Sequence, residues 1–214
     1  MSNWHQPITL GRGLTIEDWK AMEGQLRPEA YNRDWERAIK AIRNRFQERF
    51  IRPIEAIRAK DRSSKRLAAG RGFAITALDC LILESLYGFE RGWHTQSRET
   101  TIAFAELLEK KGQFRGDFSA GLAAKFGAAV RNGLLHDGET RGGWIIWKGE
   151  KGEPIVLPLG GNLYALNRDH FHAAVKAILD EYFAKLLSST DPNGVELRRT
   201  FKDRVNELCR DSKP

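Results

Sequence analysis

Apolar residues along this chain recur mostly at three- and four-residue steps, so helices are the expected elements. Trp35, Ile39, Ile42, Phe46, Phe50, Ile54 and Ile57 form one such stripe, separated by polar positions as an amphipathic helix requires. Pro53 lies inside it, lacks an amide and crowds the carbonyl of Arg49, so the helix should kink or restart there. Earlier, Thr15-Ile16-Glu17-Asp18 sets a hydroxyl ahead of first-turn acids and predicts a short helix to about Leu26, with Pro28 ending it or opening the next. The first dozen residues and Asp211 to Pro214 carry no packing pattern and are expected to be disordered. Asp61 to Lys65, with Gly70 and Gly72, reads as a turn or frayed region. Phe73 to Phe89 is apolar nearly all round, as a central core helix would be.

Further on, Thr100 to Lys111 predicts an amphipathic helix stopped by Gly112, and Phe118, Leu122, Phe126, Val130 and Leu134 predict another. Past Gly138 the period changes. Trp144 to Lys148, Pro154 to Pro158 and Leu163 to Leu166 are short, β-branched or aromatic, and separated by glycine-rich turns. They predict a small antiparallel β-meander over residues 142–166, inserted into a mainly α, single-domain chain spanning residues 1–214. Asn167 caps the next stripe, Phe171, Val175, Ile178, Tyr182 and Leu186. After the Asp191-Pro192-Asn193-Gly194 turn, a last helix follows through Leu197, Phe201, Val205 and Leu208.

The net charge of +7 changes the picture once it is localised. Arg33 to Arg71 holds thirteen Lys/Arg against five Asp/Glu, whereas the rest of the chain is slightly acidic. Such a segment suits a polyanion, with Arg33, Arg37, Lys40, Arg43, Arg62, Lys65 and Arg66 as candidate nucleic-acid contacts. A solvated helix face is the other reading. No apolar run approaches the roughly 18 residues that span a bilayer, and the start of the chain lacks the basic and apolar blocks of a signal peptide. A cytoplasmic protein without a membrane partner is expected. Cys80 and Cys209 have neither disulfide density nor zinc-ligand spacing and read as buried or semi-buried residues.

Candidate chemistry concentrates in Arg131-Asn132-Gly133-Leu134-Leu135-His136. If the helix runs through Gly133, Asn132 and His136 share a face and Arg131 flanks them. A guanidinium can grip phosphate oxygens, a carboxamide can orient an imidazole or a phosphate, and a histidine of pKa about 6.5 can move a proton. The buried helix Phe73 to Phe89 carries polar exceptions, Thr76, Asp79, Glu84 and Tyr87, on one arc. Its acids Asp79 and Glu84 need a wet groove or a cation. Arg131 and the residues of the basic segment are the two candidate sources of that cation. The plainer reading of Arg131 and His136 is that both cations favour the negative end of a helix dipole.

The hexapeptide resembles the R-x4-6-H signature of HEPN-domain proteins, many of which are metal-independent endoribonucleases. That resemblance implies a HEPN-like helical bundle and an isologous homodimer that brings two Arg131 and two His136 into one cleft. It also implies RNA as substrate and no metal or other cofactor. The 2′-hydroxyl would attack the neighbouring phosphate, leaving 2′,3′-cyclic phosphate and 5′-hydroxyl ends. Asn132 matches a polar type the family favours after the arginine, while Gly133 departs from a helix-favouring interior. In a prokaryotic setting the resemblance implies a toxin or anti-phage defence role, with an antitoxin or regulatory protein as a further partner. Two other readings stay open: a nonenzymatic helical module binding nucleic acid or protein through the basic segment, and a HEPN-like domain that binds nucleotides without cutting.

Elsewhere, His170 and His172 beside Asp169 fall short of a zinc set and read as surface residues. Trp144, Trp147 and Tyr164 could stack bases or cover a core or dimer seam. Asp137 and Glu139 could tune His136 or bind nothing. There is no phosphate-binding glycine loop after a strand, no G-x-S-x-G and no H-E-x-x-H.

Overall fold

A computed structural model describes residues 8–63, 69–92, 97–114 and 116–211. The protein is mainly α, with a two-stranded and a three-stranded sheet. The described residues cluster into two compact units. One comprises the described residues within 8–49, 88–92 and 180–211, and the other those within 50–87 and 97–179.

In the first unit, the chain opens with an element that the sequence reading misses, a hairpin of β1 (Thr9–Gly11) and β2 (Leu14–Thr15). Leu10 and Leu14 are buried there. Gly11 lies so close to the following long helix that a Cβ on it would fall 2.1 Å from the Ala41 carbonyl oxygen. Thr15 then starts α1 (Ile16–Met22) with a full capping box, its hydroxyl accepting the Asp18 amide and the Asp18 carboxylate accepting the Thr15 amide. α2 (Arg33–Phe46) starts at Asn32, whose side chain accepts the Asp34 and Trp35 amides.

The chain stays helical beyond α2. A π turn, Gln47–Ile51, leads into α3 (Arg52–Ser63), with Pro53 at its second position. The wider turn accommodates the missing proline amide, so the expected interruption becomes a local change of helical pitch.

The long helix α4 (Ala69–Arg91) contains Gly70 and Gly72, which correct the expected turn at that point. Gly72 serves packing: a Cβ there would meet Ile146 at 3.0 Å and Arg168 at 3.3 Å. Within α4, Arg71–Arg91 is long and apolar enough by length and composition to cross a membrane, contrary to the sequence expectation. Sixty-one per cent of its most apolar window is buried within the protein, as for a core helix.

α5 (Ser97–Lys110), α6 (Ala120–Phe126) and α7 (Asn132–Asp137) follow, then the strands β3 (Trp144–Trp147), β4 (Val156–Gly160) and β5 (Leu163–Asn167). The sheet is not the expected antiparallel meander. Its order is β3-β5-β4, with β3 parallel to β5 and only β4 and β5 forming a hairpin. Leaving β3, the chain passes the end of β5 at Gly149, where a Cβ would lie 2.1 Å from the Asn167 side-chain nitrogen. That crossing places β4 on the far edge. Asn167 then caps α8 (Arg168–Leu187) by accepting the His170 amide, and α9 (Gly194–Asp211) ends the described chain.

Aromatic side chains fill both cores. In the first unit Trp35, Phe46, Phe89, Phe183 and Phe201 pack with ring centroids 5.6 to 6.3 Å apart. Buried Arg198 donates from Nε to the Pro28 carbonyl and from Nη1 to the Ser188 carbonyl, so backbone oxygens meet part of the fork. In the second unit Phe126 is central, with Phe118, Trp144 and Phe171 all 5.3 to 5.4 Å from it. The motif helix is anchored through this contact.

Candidate active site

Phe126, Val130 and Leu134 are buried along the candidate helix, as their spacing predicts, while Leu122 is half-buried and Phe118 is buried just ahead of the helix. The helix is nevertheless compound: a π turn, Gly127–Arg131, separates α6 from α7. Arg131 closes that turn and Asn132 opens α7. π turns shift helical register by one residue, so this one resets which side chains share a face with the residues before it. Within α7, Asn132 and His136 are one turn apart and on a common face.

Arg131 is held from two sides. Its Nη2 donates to Glu84 Oε2 at 2.6 Å and its Nη1 to Asn132 Oδ1 at 2.8 Å. Glu84 comes from the arc of polar exceptions on α4, and the two charged side chains are 14% and 18% exposed. The pairing fixes the plane of the guanidinium and leaves the Asn132 amide N–H groups directed elsewhere. Arg131 Nε is buried without a hydrogen-bond partner.

His136 is exposed at the end of α7. Gly138 terminates this helix in the left-handed conformation, φ 71°, and its amide donates to the Gly133 carbonyl. The reversed chain passes directly over Gly133, where a Cβ would lie 2.4 Å from the Glu139 carbonyl oxygen. Gly133 therefore permits the turn that brings the chain back, and the helix remains regular at His136. Asp137 pairs with Arg141.

Asp79, the other proposed acid, has a different partner. Its Oδ1 lies 2.8 Å from His172 Nδ1, and both residues are essentially inaccessible. His172 is thus a core residue, correcting its reading as a surface histidine. It follows Phe171 on α8, where the helix is buried across both positions. Burial pushes the Asp79 carboxyl up to about 6, against the lowering effect of the His172 hydrogen bond. Glu55 lies 3.4 Å from His172 Nε2, and Arg58 joins Glu55 to Asp169. His170 is engaged separately, with Nδ1 2.7 Å from the Glu153 carbonyl oxygen.

A groove of about 430 Å3 lies beside the motif helix, lined by Lys125, Ala128, Ala129, Trp144, Asn162 and Tyr164 among others. Trp144 is buried against Phe126, while half-buried Tyr164 stacks on Trp144 at 5.1 Å. Of the aromatics singled out on these strands, Tyr164 and Trp144 therefore meet at the groove. Trp147, half-buried at the end of β3, does not line it.

Arg33, Arg37, Lys40 and Arg43 lie at three- and four-residue steps along α2, and most of them have acidic partners. Arg33 is exposed, Arg37 pairs with Asp18, Lys40 with Glu36 and Arg43 with Asp180. These largely exposed pairs offset part of the local positive charge without adding much stability. The Arg62 side chain, Lys65 and Arg66 lie outside the described residues. Compared with protein-family models, curated proteins and solved structures, the chain matches none.

Proposed function

We propose that this protein is a HEPN-type endoribonuclease, working as a homodimer. The observation that carries the reading is the pairing of the Arg131 guanidinium, at the start of α7, with Glu84 and Asn132, and an exposed His136 one turn further on the same helix as Asn132. An arginine whose plane is fixed is preorganised to meet a phosphate, and an accessible imidazole can exchange protons with substrate. Groove residues Lys125, Asn162 and Tyr164 offer a cation, an amide and an aromatic surface near the same helix, chemistry that suits a nucleotide.

In the proposed reaction His136 takes the proton from a ribose 2′-hydroxyl, and the resulting oxygen attacks the adjacent phosphorus. The P–O5′ bond breaks, and the leaving oxygen takes a proton from the second His136 across the two-fold axis. Arg131 stabilises the charge on the phosphorane. The products are a 2′,3′-cyclic phosphate and a 5′-hydroxyl, and a toxin or defence role would follow from unregulated cutting.

The burial of Arg131 favours a second reading, in which the ion pair is structural and the protein binds nucleic acid or a protein partner without cutting. Incubating wild type, Arg131→Ala and His136→Ala with end-labelled RNA in EDTA separates the two. The nuclease reading expects cyclic-phosphate ends from wild type and none from either variant. Cleavage that survives both substitutions removes this site, and binding without any cleavage supports the second reading.

A further inference from the structure

Three arginines from two stretches of the first unit, one in a hairpin turn and two a helical turn apart, converge on a cleft of about 320 Å3. Arg12 comes from the turn of the β1–β2 hairpin, Arg45 from the last turn of α2, and Arg49 from the π turn that follows. Thr9, Gly11, Gly13 and Glu48 complete the walls. Glu48 is the only carboxylate among the lining residues named. Like charges gathered around a concavity raise each other's energy, and an anion seated among them relieves it.

Arg45 is the innermost of the three. Its Nη1 donates to the Leu10 carbonyl at 3.3 Å, which uses one N–H and leaves the remainder of the fork. Burial, together with the charges of Arg49 and Arg204, lowers Arg45 to about 10. Arg204 has its own partner in Glu207. Arg12 and Arg49 are exposed at the rim, and the glycines on either side of Arg12 leave the turn free of bulk.

We propose that the Arg12, Arg45 and Arg49 cleft binds the phosphate group of a nucleotide, either free or within an RNA strand. Guanidinium forks match phosphate oxygens in pairs, and three of them suit a group carrying up to two negative charges. The cleft is of a size that holds a small ligand or the end of a larger one. The site is independent of the Arg131 motif, and the assignment does not rest on cleavage.

Two probes distinguish the sources: AMP by titration calorimetry, and a fluorescein-labelled 2′-O-methyl RNA decamer by anisotropy. The decamer has no free 2′-hydroxyl and survives a nuclease. Arg12→Ala and Arg49→Ala are expected to weaken whichever probe binds by roughly tenfold or more. Both residues are exposed, so the variants should fold. Arg27→Ala, at an exposed arginine outside the cleft, should bind as wild type does. Binding of AMP alone assigns the cleft to a free nucleotide, of the decamer alone to a strand, and of both to phosphate groups from either source. The proposal is overturned if neither probe binds, if Arg12→Ala and Arg49→Ala bind as tightly as wild type, or if Arg27→Ala weakens binding equally.

Discussion

Arg131 and Glu84 form an ion pair at 2.6 Å between the start of α7 and the core helix α4, with both side chains less than one-fifth exposed. A pair in that setting contributes to stability mainly through the penalty of leaving one charge behind. Arg131→Ala is therefore expected to cost about 3 kcal/mol in urea denaturation. Arg131→Ala/Glu84→Ala should cost clearly less than the sum of the two single changes. Strict additivity would mean that the pair is not coupled. Loss of activity in Arg131→Ala must accordingly be judged on protein verified to be folded.

Two helical glycines should respond in opposite senses to alanine. Gly133→Ala places a methyl group 2.4 Å from the Glu139 carbonyl oxygen, so backbone must move, and a loss of about 2 kcal/mol or more is expected. Gly121 lies in α6 with nothing within 4 Å of its would-be Cβ, and Gly121→Ala should stabilise by about 0.5 to 1 kcal/mol. Thermal melts of both variants check the pair. A neutral or stabilising Gly133→Ala would contradict the close chain reversal after α7.

The helical stripes were legible because burial follows their spacing: Trp35, Ile39, Ile42 and Phe46 are all buried. The capping signals at Thr15 and Asn167 were legible too, because they depend on local chemistry. Sheet topology was not, since β3 and β5 pair in parallel only because the intervening chain crosses at Gly149, a contact between distant residues. Similarly, a π turn shifts the register by one residue, which shows in the sequence only as repeated four-residue steps, and those do not by themselves mark where the turn falls. For the site, an arc of polar residues on an apolar helix correctly signalled buried partners. It left two candidate cations open: Glu84 meets one of them, Arg131, while Asp79 meets a histidine more than ninety residues away that was not among them. The arginine cleft was invisible for the same reason, because Arg12 and Arg45 come together only through the hairpin fold.

Asp79 makes the stability depend on pH. Its carboxyl titrates at about 6 in the folded protein against 3.8 in an unperturbed chain, so the folded state holds the proton more tightly. Between pH 3.8 and about 6 the folded state binds more protons than the unfolded state, and this residue's contribution falls as pH rises through that window. Below it the carboxyl is protonated in both states. Asp79→Asn keeps the shape without the ionisation and should remove a decline on the order of 3 kcal/mol from the urea-derived stability profile. His172, Glu55 and Arg58 all lie nearby, so the comparison is of profiles rather than of single points. Parallel profiles for wild type and Asp79→Asn across that window would rule out Asp79 as the source.

His136 provides the most direct test of a composite site. It is exposed, so His136→Ala should leave the melting temperature nearly unchanged while abolishing cleavage, unlike Arg131→Ala, which should affect both. If one cleft needs a histidine from each chain, a dimer with one His136→Ala subunit is inactive. In equal mixtures of wild-type and variant chains, refolded together to randomise pairing, about one-quarter of the dimers carry two wild-type chains. Cleavage at fixed total protein should then fall to about one-quarter of the wild-type rate. A chain that needs only its own histidine gives about one-half instead. The fall across a series of mixing ratios separates a quadratic from a linear dependence, and a linear result would leave the acid and base roles within a single chain.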